Sequence, residues 1–265
     1  MASPSATISP NAITRCFDAI QSASGRALVC YLTAGHPDLA RSRDALHATD
    51  EGGADIIEVG VPFSDPIADG PVIQKSSHVA LAGGMTYDRT LELVASSRLK
   101  APVVLFSYLN PIIAAGRDAL TRAAAAGVSG ILITDLPVGA DPAREEWFAS
   151  SPLAFIRLVA PTTPRVRMTE IARHGSGFVY LISRLGVTGA QESVASTLPE
   201  SILRLRSTTK LPICVGFGIA TAEQARAVGR LADGVVVGSA LVRAAEESAE
   251  AVLKLTRSLR EALDG

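Results

Sequence analysis

The chain has 265 residues, 48% of them apolar and only 5% aromatic, and its formal net charge is -1. That length and apolar fraction suffice for one large core, while the near-zero charge and the lack of Lys/Arg clusters interleaved with aromatics exclude a nucleic-acid footprint. Cys16, Cys30 and Cys214 fit neither a disulfide framework nor a zinc site, which points to a reducing cytoplasm.

Residues 1–10 are rich in Ser, Ala and Pro and read as a flexible N-terminus. They lack the basic start and apolar run of a secretory signal, and the first Arg, Arg15, already sits in a periodic stretch, which argues against a transit peptide. Ser9-Pro10 reads as a cap and first turn, and Ile13, Phe17 and Ile20 recur at helical spacing, so a leading helix is expected over one end of the core. Short β-rich runs then follow at 27–33, 55–59, 103–108, 130–134, 154–159, 178–182, 212–215 and 234–237. Between them lie stretches of helical periodicity such as 39–51, 90–97, 119–126 and 222–230. The longest apolar stretches are broken, as at Asn110-Pro111, before they reach the length of a bilayer span. Alternating strands and helices define a parallel α/β fold, and nearly continuous apolar strands suit a sheet covered on both faces. An open doubly wound sheet shares this pattern. The strand count and the spacing of the phosphate signals below favour a closed (β/α)8 barrel, with residues 11–265 as one domain.

In such a barrel the polar residues that close each strand face the active site. In the run 55–59, alternation puts Glu58 on the inward face with Ile56, leaving Ile57 and Val59 toward the helices. Desolvation near the barrel axis raises a carboxyl pKa toward the range useful for proton transfer, although a Glu satisfied by a structural hydrogen bond would occupy the same place. The loop that follows, 60–71, holds three prolines, glycines at its ends, and Asp65 and Asp69. Asp69 can reach the strand ends near Glu58 and form a pair with divided acid and base roles; equally, both aspartates suit plain turns.

Farther along, Ser183 to Ala190 carries Gly186-Val187-Thr188-Gly189, a pattern that fits a lid or an ordinary surface loop. The seventh strand ends in Gly216-Phe217-Gly218 before a capping box from Thr221 to Gln224, and the eighth ends in Gly238-Ser239 before a short helix. Glycines there let backbone N–H groups approach an anion, and helix N-termini after strands seven and eight form the recurring phosphate site of these barrels. None of Lys75, Lys100, Lys210 and Lys254 ends a strand, so imine chemistry lacks a nucleophile. The histidines are scattered, with only His36 just past a strand end, so no metal site is expected, and no dinucleotide fingerprint follows the first strand. What remains is metal-free acid/base chemistry on a phosphorylated small molecule.

Leu32-Thr33-Ala34-Gly35-His36-Pro37, the run from Glu58 to Gln74, Ala160-Pro161-Thr162-Thr163-Pro164, Gly186-Val187-Thr188-Gly189, Gly216-Phe217-Gly218-Ile219 and Gly238-Ser239-Ala240 together resemble tryptophan synthase alpha subunits along nearly the whole chain. The resemblance implies a lyase that cleaves indole-3-glycerol phosphate into indole and glyceraldehyde 3-phosphate by metal-free retro-aldol chemistry. It implies Glu58 as the acid/base group at indole C3, and Asp69 as its partner on the indole N–H. Tyr180 would support the site, Thr188 would position Asp69, and Gly189, Gly218, Gly238 and Ser239 would hold phosphate with Phe217 beside it. Tyr31, Phe106, Leu132 and Thr134 would line the indole pocket. His36 stands where Asp is frequent and Tyr31 where Phe is frequent; both bear on substrate affinity and leave the acid pair intact.

The resemblance also implies docking onto a pyridoxal-phosphate-dependent beta subunit in an alpha2beta2 assembly, through the loop containing Pro62 and Asp65 and through Asn110 and Pro111, with no cofactor on this chain. Three alternatives remain open: a stand-alone lyase that releases free indole, a metal-free isomerase of a phosphorylated sugar or amine, and a catalytically idle barrel that regulates a partner. The aromatic pair Tyr31 and Phe106 argues against the isomerase, and the presence of Glu58 and Asp69 against the idle barrel.

Overall fold

The computed structural model describes residues 11–182, 191–216 and 218–265, with the side chains of 191–197 left out. In chain order the elements are α1 (Ala12–Ser22), β1 (Ala27–Thr33), α2 (Leu39–Glu51), β2 (Ile56–Gly60), α3 (Pro71–Ala82), α4 (Tyr87–Ser97), β3 (Val103–Ser107), α5 (Leu109–Ala114), α6 (Ala119–Ala125), β4 (Val128–Ile133), α7 (Pro142–Ala149), β5 (Ala154–Val159), α8 (Arg165–Arg173), β6 (Val179–Ile182), α9 (Gln191–Arg206), β7 (Ile213–Gly216), α10 (Ala222–Gly229), β8 (Gly234–Val237), α11 (Ser239–Glu247) and α12 (Ala249–Asp264). The eight strands pair in parallel with their sequence neighbours, and β1 closes the ring on β8. The expected (β/α)8 barrel is thus the observed fold, and the open sheet is excluded.

The pleat divides the apolar residues into two cores. Ile57, Val59, Val103 and Leu105 point outward and pack with Leu46, Leu91 and Leu93 of the surrounding helices. Val29, Ile56, Val104, Leu132, Ile156, Cys214 and Val236 fill the barrel interior, so the space inside the strands is packed rather than a pore. Glu58 follows the inward set, as its alternation with Ile56 requires, and it is only 1% exposed.

The leading helix seals the end of the barrel where the strands begin. Its expected cap at Ser9-Pro10 lies outside the described residues; the observed cap is Asn11, whose Oδ1 accepts from the Ile13 N–H at 2.9 Å. The same side chain donates to the Ser129 carbonyl at 2.8 Å and the Pro152 carbonyl at 3.2 Å, which pins the helix to the starts of β4 and β5. Ile13 and Phe17 enter the interior core, with the Phe17 ring 5.7 Å from that of Phe178. Truncating Phe17 to Ala removes a buried ring the core cannot refill and is expected to cost about 3 to 5 kcal/mol. Urea unfolding should register that loss while turnover of the folded molecules stays near wild type, because the plug lies at the opposite end from the strand termini that build the site.

Candidate active site

A cavity opens at the C-terminal ends of the strands, with about 650 Å³ of atom-free space, part of it open to solvent. Its wall takes Tyr31 from β1, Glu58 from β2, Phe106 from β3 and Tyr180 from β6, together with Asp69 and Gly70 of the loop before α3. Gly218, Gly238 and Ser239 line it as well. Seven of the residues singled out in the sequence therefore meet here besides the two acids: Tyr31, Phe106, Tyr180, Gly218, Gly238 and Ser239 from strand ends, and the glycine that ends the acid loop.

Glu58 is buried and its Oε1 has no hydrogen-bond partner among the described residues. An unpaired carboxylate in such surroundings is costly, so burial pushes its pKa up to about 8 and the protonated form prevails at neutral pH. The reading of Glu58 as a Glu satisfied by a structural hydrogen bond finds no support in this geometry. Asp69 is half-buried, and desolvation raises its pKa to about 6, partly countered by a hydrogen bond from the Tyr108 hydroxyl. At pH 7 one acid therefore carries a proton and the other a charge, the divided pair that acid/base chemistry uses.

Tyr31 lies edge-on to Phe106 with ring centroids 5.2 Å apart, and its hydroxyl lies 3.3 Å from Thr33 Oγ1, which is 2.7 Å from Ser76 Oγ. The hydroxyls of Tyr31 and Tyr180 are both pushed up first by burial, with the charges of Glu58 and Asp69 adding to it. Two strand-end glycines make room for these rings. A Cβ on Gly60 would lie 2.1 Å from Tyr31 Oη, and one on Gly216 would lie 2.3 Å from Tyr180 Oη. Gly216 thus serves ring clearance.

Residues at or just before two helix starts also line the cavity. Gly238 is the N-cap of α11 and, having no side chain, leaves the first amides of that helix without a side-chain cap. Gly218 adopts φ +83°, a conformation suited to glycine, and α10 begins with the expected capping box from Thr221 to Gln224.

A scan against family models matches residues 17–263 to the tryptophan synthase alpha chain. The chain is 45% identical over 262 residues to the tryptophan synthase alpha chain of Desulfatibacillum aliphaticivorans, covering 96% of this chain and 99% of that one. With that of Synechococcus elongatus it shares 46% identity over 258 residues, covering 96% and 97%. The chain belongs to the tryptophan synthase alpha chain family. Among solved structures, tryptophan synthase from M. tuberculosis in its aminoacrylate-bound form superposes with a TM-score of 0.87 at 34% identity, covering 96% of this chain and 100% of that one. Tryptophan synthase subunit alpha from Legionella pneumophila gives 0.88 at 34% identity, covering 97% and 99%.

Leu132 is fully buried in the interior core, and the Thr134 hydroxyl lies 3.4 Å from the Ser107 carbonyl and bonds the Tyr108 hydroxyl, which also bonds Asp69. Thr188, Gly189 and Phe217, like the whole run 183–190, lie outside the described residues. Of the expected partner contacts, Asp65 and Asn110 are exposed, Pro111 is half-buried, and Pro62 is buried and holds the base of its loop.

Sequence reasoning passed over Tyr108, although it follows a strand directly. Its hydroxyl accepts from the Ala68 N–H at 2.9 Å and donates to Asp69, and its ring lies 5.1 Å from that of Phe63. One side chain thus anchors the acid loop at three points. A tyrosine closing an apolar strand was the available signal, and it was read as strand rather than as site. Replacing Tyr108 with Phe removes the donor that stabilises ionised Asp69. The acidic limb of the kcat/KM profile should then move upward by about half a unit to one unit, with a roughly 3- to 10-fold drop in kcat, as read from pH profiles of both proteins.

Proposed function

We propose that this chain is the lyase subunit that converts indole-3-glycerol phosphate into indole and glyceraldehyde 3-phosphate, with Glu58 and Asp69 as its catalytic pair and residues 11–265 acting as one barrel domain. The observation that carries the assignment of roles is the unpaired, buried Glu58 with its pKa near 8 beside the ionised Asp69. Protonated Glu58 gives its proton to indole C3. The positive charge that develops on the ring nitrogen is stabilised by the half-buried Asp69 carboxylate. Glu58, now ionised, takes the proton of the side-chain hydroxyl adjacent to the bond that breaks. The carbon–carbon bond opens, its electron pair restores the aromatic ring, the hydroxyl carbon becomes the aldehyde, and Glu58 ends protonated as it began.

Tyr31 and Phe106 form the apolar contact for the indole ring, Tyr180 supports it from β6, and Gly218, Gly238 and Ser239 hold the phosphate through amides and a hydroxyl. Thr188, Gly189 and Phe217 complete this set by family pattern. The beta subunit docks on the acid loop and α5, where Ile67 is 84% and Ile113 is 39% exposed among polar neighbours that include Asp65 and Asn110. Among the described residues no helix is long and apolar enough to cross a membrane, and three free cysteines support a reducing compartment such as the cytoplasm.

Indole release from indole-3-glycerol phosphate by the purified chain, with and without a beta subunit, tests this reading. Turnover that rises strongly with the partner supports the subunit role. High turnover indifferent to the partner indicates a stand-alone lyase, and no turnover in either mixture overturns the assignment.

A further inference from the structure

A phosphomonoester is close to a dianion at neutral pH, yet the groups so far assigned to it are neutral amides and one hydroxyl, and they share the cavity with an ionised Asp69. The helix starts offer only partial positive charge, so a nearby cation would add to the compensation. Among the described residues of the cavity wall there is one, Arg243. It stands four positions after Ser239 on α11, so the two side chains share a helix face one turn apart. Helical side chains lean toward the helix N-terminus, which carries the guanidinium from Arg243 back toward the Gly238-Ser239 end.

Arg243 is also uncommitted. It is exposed, and among the described residues no hydrogen bond or ion pair engages it, whereas Lys75 and Arg41 are occupied. Lys75 pairs with Glu246 at 3.0 Å, and Arg41 donates to the carbonyls of Ala245, Glu246 and Glu247 at the end of α11. A planar guanidinium lining the same cavity as the N-terminus of its own helix has the chemistry of phosphate recognition.

We propose that Arg243 is a substrate-binding residue that supplies the positive charge for the phosphate group. The proposal rests on the reading of Gly218, Gly238 and Ser239 as a phosphate site and adds to it the charged contact, which selects phosphorylated over unphosphorylated indole compounds.

The test is calorimetric titration of the full chain with glycerol 3-phosphate, and separately with indole, at about 0.02 M and about 0.2 M salt. Wild type, Arg243→Gln and Arg243→Lys are compared. Arg243→Gln should bind glycerol 3-phosphate about tenfold more weakly at low salt, with a flatter salt dependence, while Arg243→Lys falls between the two. Indole affinity should be unchanged, and in steady state KM for indole-3-glycerol phosphate should rise with kcat within about twofold of wild type. Wild-type affinity for glycerol 3-phosphate in Arg243→Gln overturns the proposal while leaving the phosphate site intact. Equal losses for indole and glycerol 3-phosphate overturn it in favour of a role in shaping the whole cavity. If wild type binds no glycerol 3-phosphate, the phosphate-site reading falls and the proposal falls with it.

Discussion

Glu58→Gln is expected to lower indole production from indole-3-glycerol phosphate by at least about 1,000-fold while leaving the barrel folded. Glutamine fills the same volume and keeps an oxygen, but it neither delivers a proton to C3 nor takes one from the hydroxyl, and both steps pass through this one side chain. Binding of glycerol 3-phosphate should persist, because the anion side of the cavity does not include position 58. Single-turnover measurement separates the two effects, and a variant with wild-type turnover would remove Glu58 from the mechanism.

The pKa values define the companion pH profile. The proposed mechanism uses an ionised Asp69 and a protonated Glu58, so kcat/KM should fall below about pH 6 and above about pH 8. Stability follows the same group. The folded pKa of Glu58, about 8, lies above its ordinary value of 4.5. The folded state therefore binds the extra proton between these limits, and the contribution is full below pH 4.5 and lost as pH rises through 8. Glutamine never ionises. Glu58→Gln should then be close to wild type in stability near pH 4.5 and more stable above pH 8, with a gap of about 3 to 5 kcal/mol. Thermal midpoints taken across that range would show whether the buried acid is held at the expense of stability.

The strands were legible because each is an apolar run bounded by polar or turn residues. β1, β5 and β8 fall on the expected 27–33, 154–159 and 234–237, and the others shift by one or two residues at one or both ends. Helices were harder to read where the buried face is thin. α8 buries only Met168 and Ala172, and α5 is six residues with Pro111 inside, so neither carries the three-turn apolar stripe that periodicity detects. The inward placement of Glu58 followed from the pleat alone, since Ile56 and Ile57 had to divide between two cores. Tyr108 was illegible for the opposite reason. Its function lies in contacts to Ala68 and Asp69, some forty positions away, and no local pattern encodes a contact at that separation.

Gly216→Ala is expected to reduce kcat/KM by about 100-fold, a second large effect from a single methyl group. Tyr180 lies across Gly216 as Tyr31 lies across Gly60, each ring leaning from its own strand onto the glycine of the next. An alanine Cβ at 216 would stand 2.3 Å from Tyr180 Oη, 2.7 Å from its Cζ and 2.8 Å from Val236 Cβ. Val236 belongs to the interior core on β8 and has nowhere to go, so the tyrosine has to yield. Its escape is into the cavity, where Glu58 and Asp69 already bear on its hydroxyl, and both the indole contact and the carboxyl environment change. Overpacking should also cost about 1 to 3 kcal/mol of stability, visible in urea. Adding Tyr180→Leu to Gly216→Ala removes the ring that clashes, so the stability loss should be largely restored while activity is not. A Gly216→Ala protein with wild-type kcat/KM would show that this approach of ring to backbone does not position the site, and recovery of activity by Tyr180→Leu would show that clearance matters and the ring itself does not.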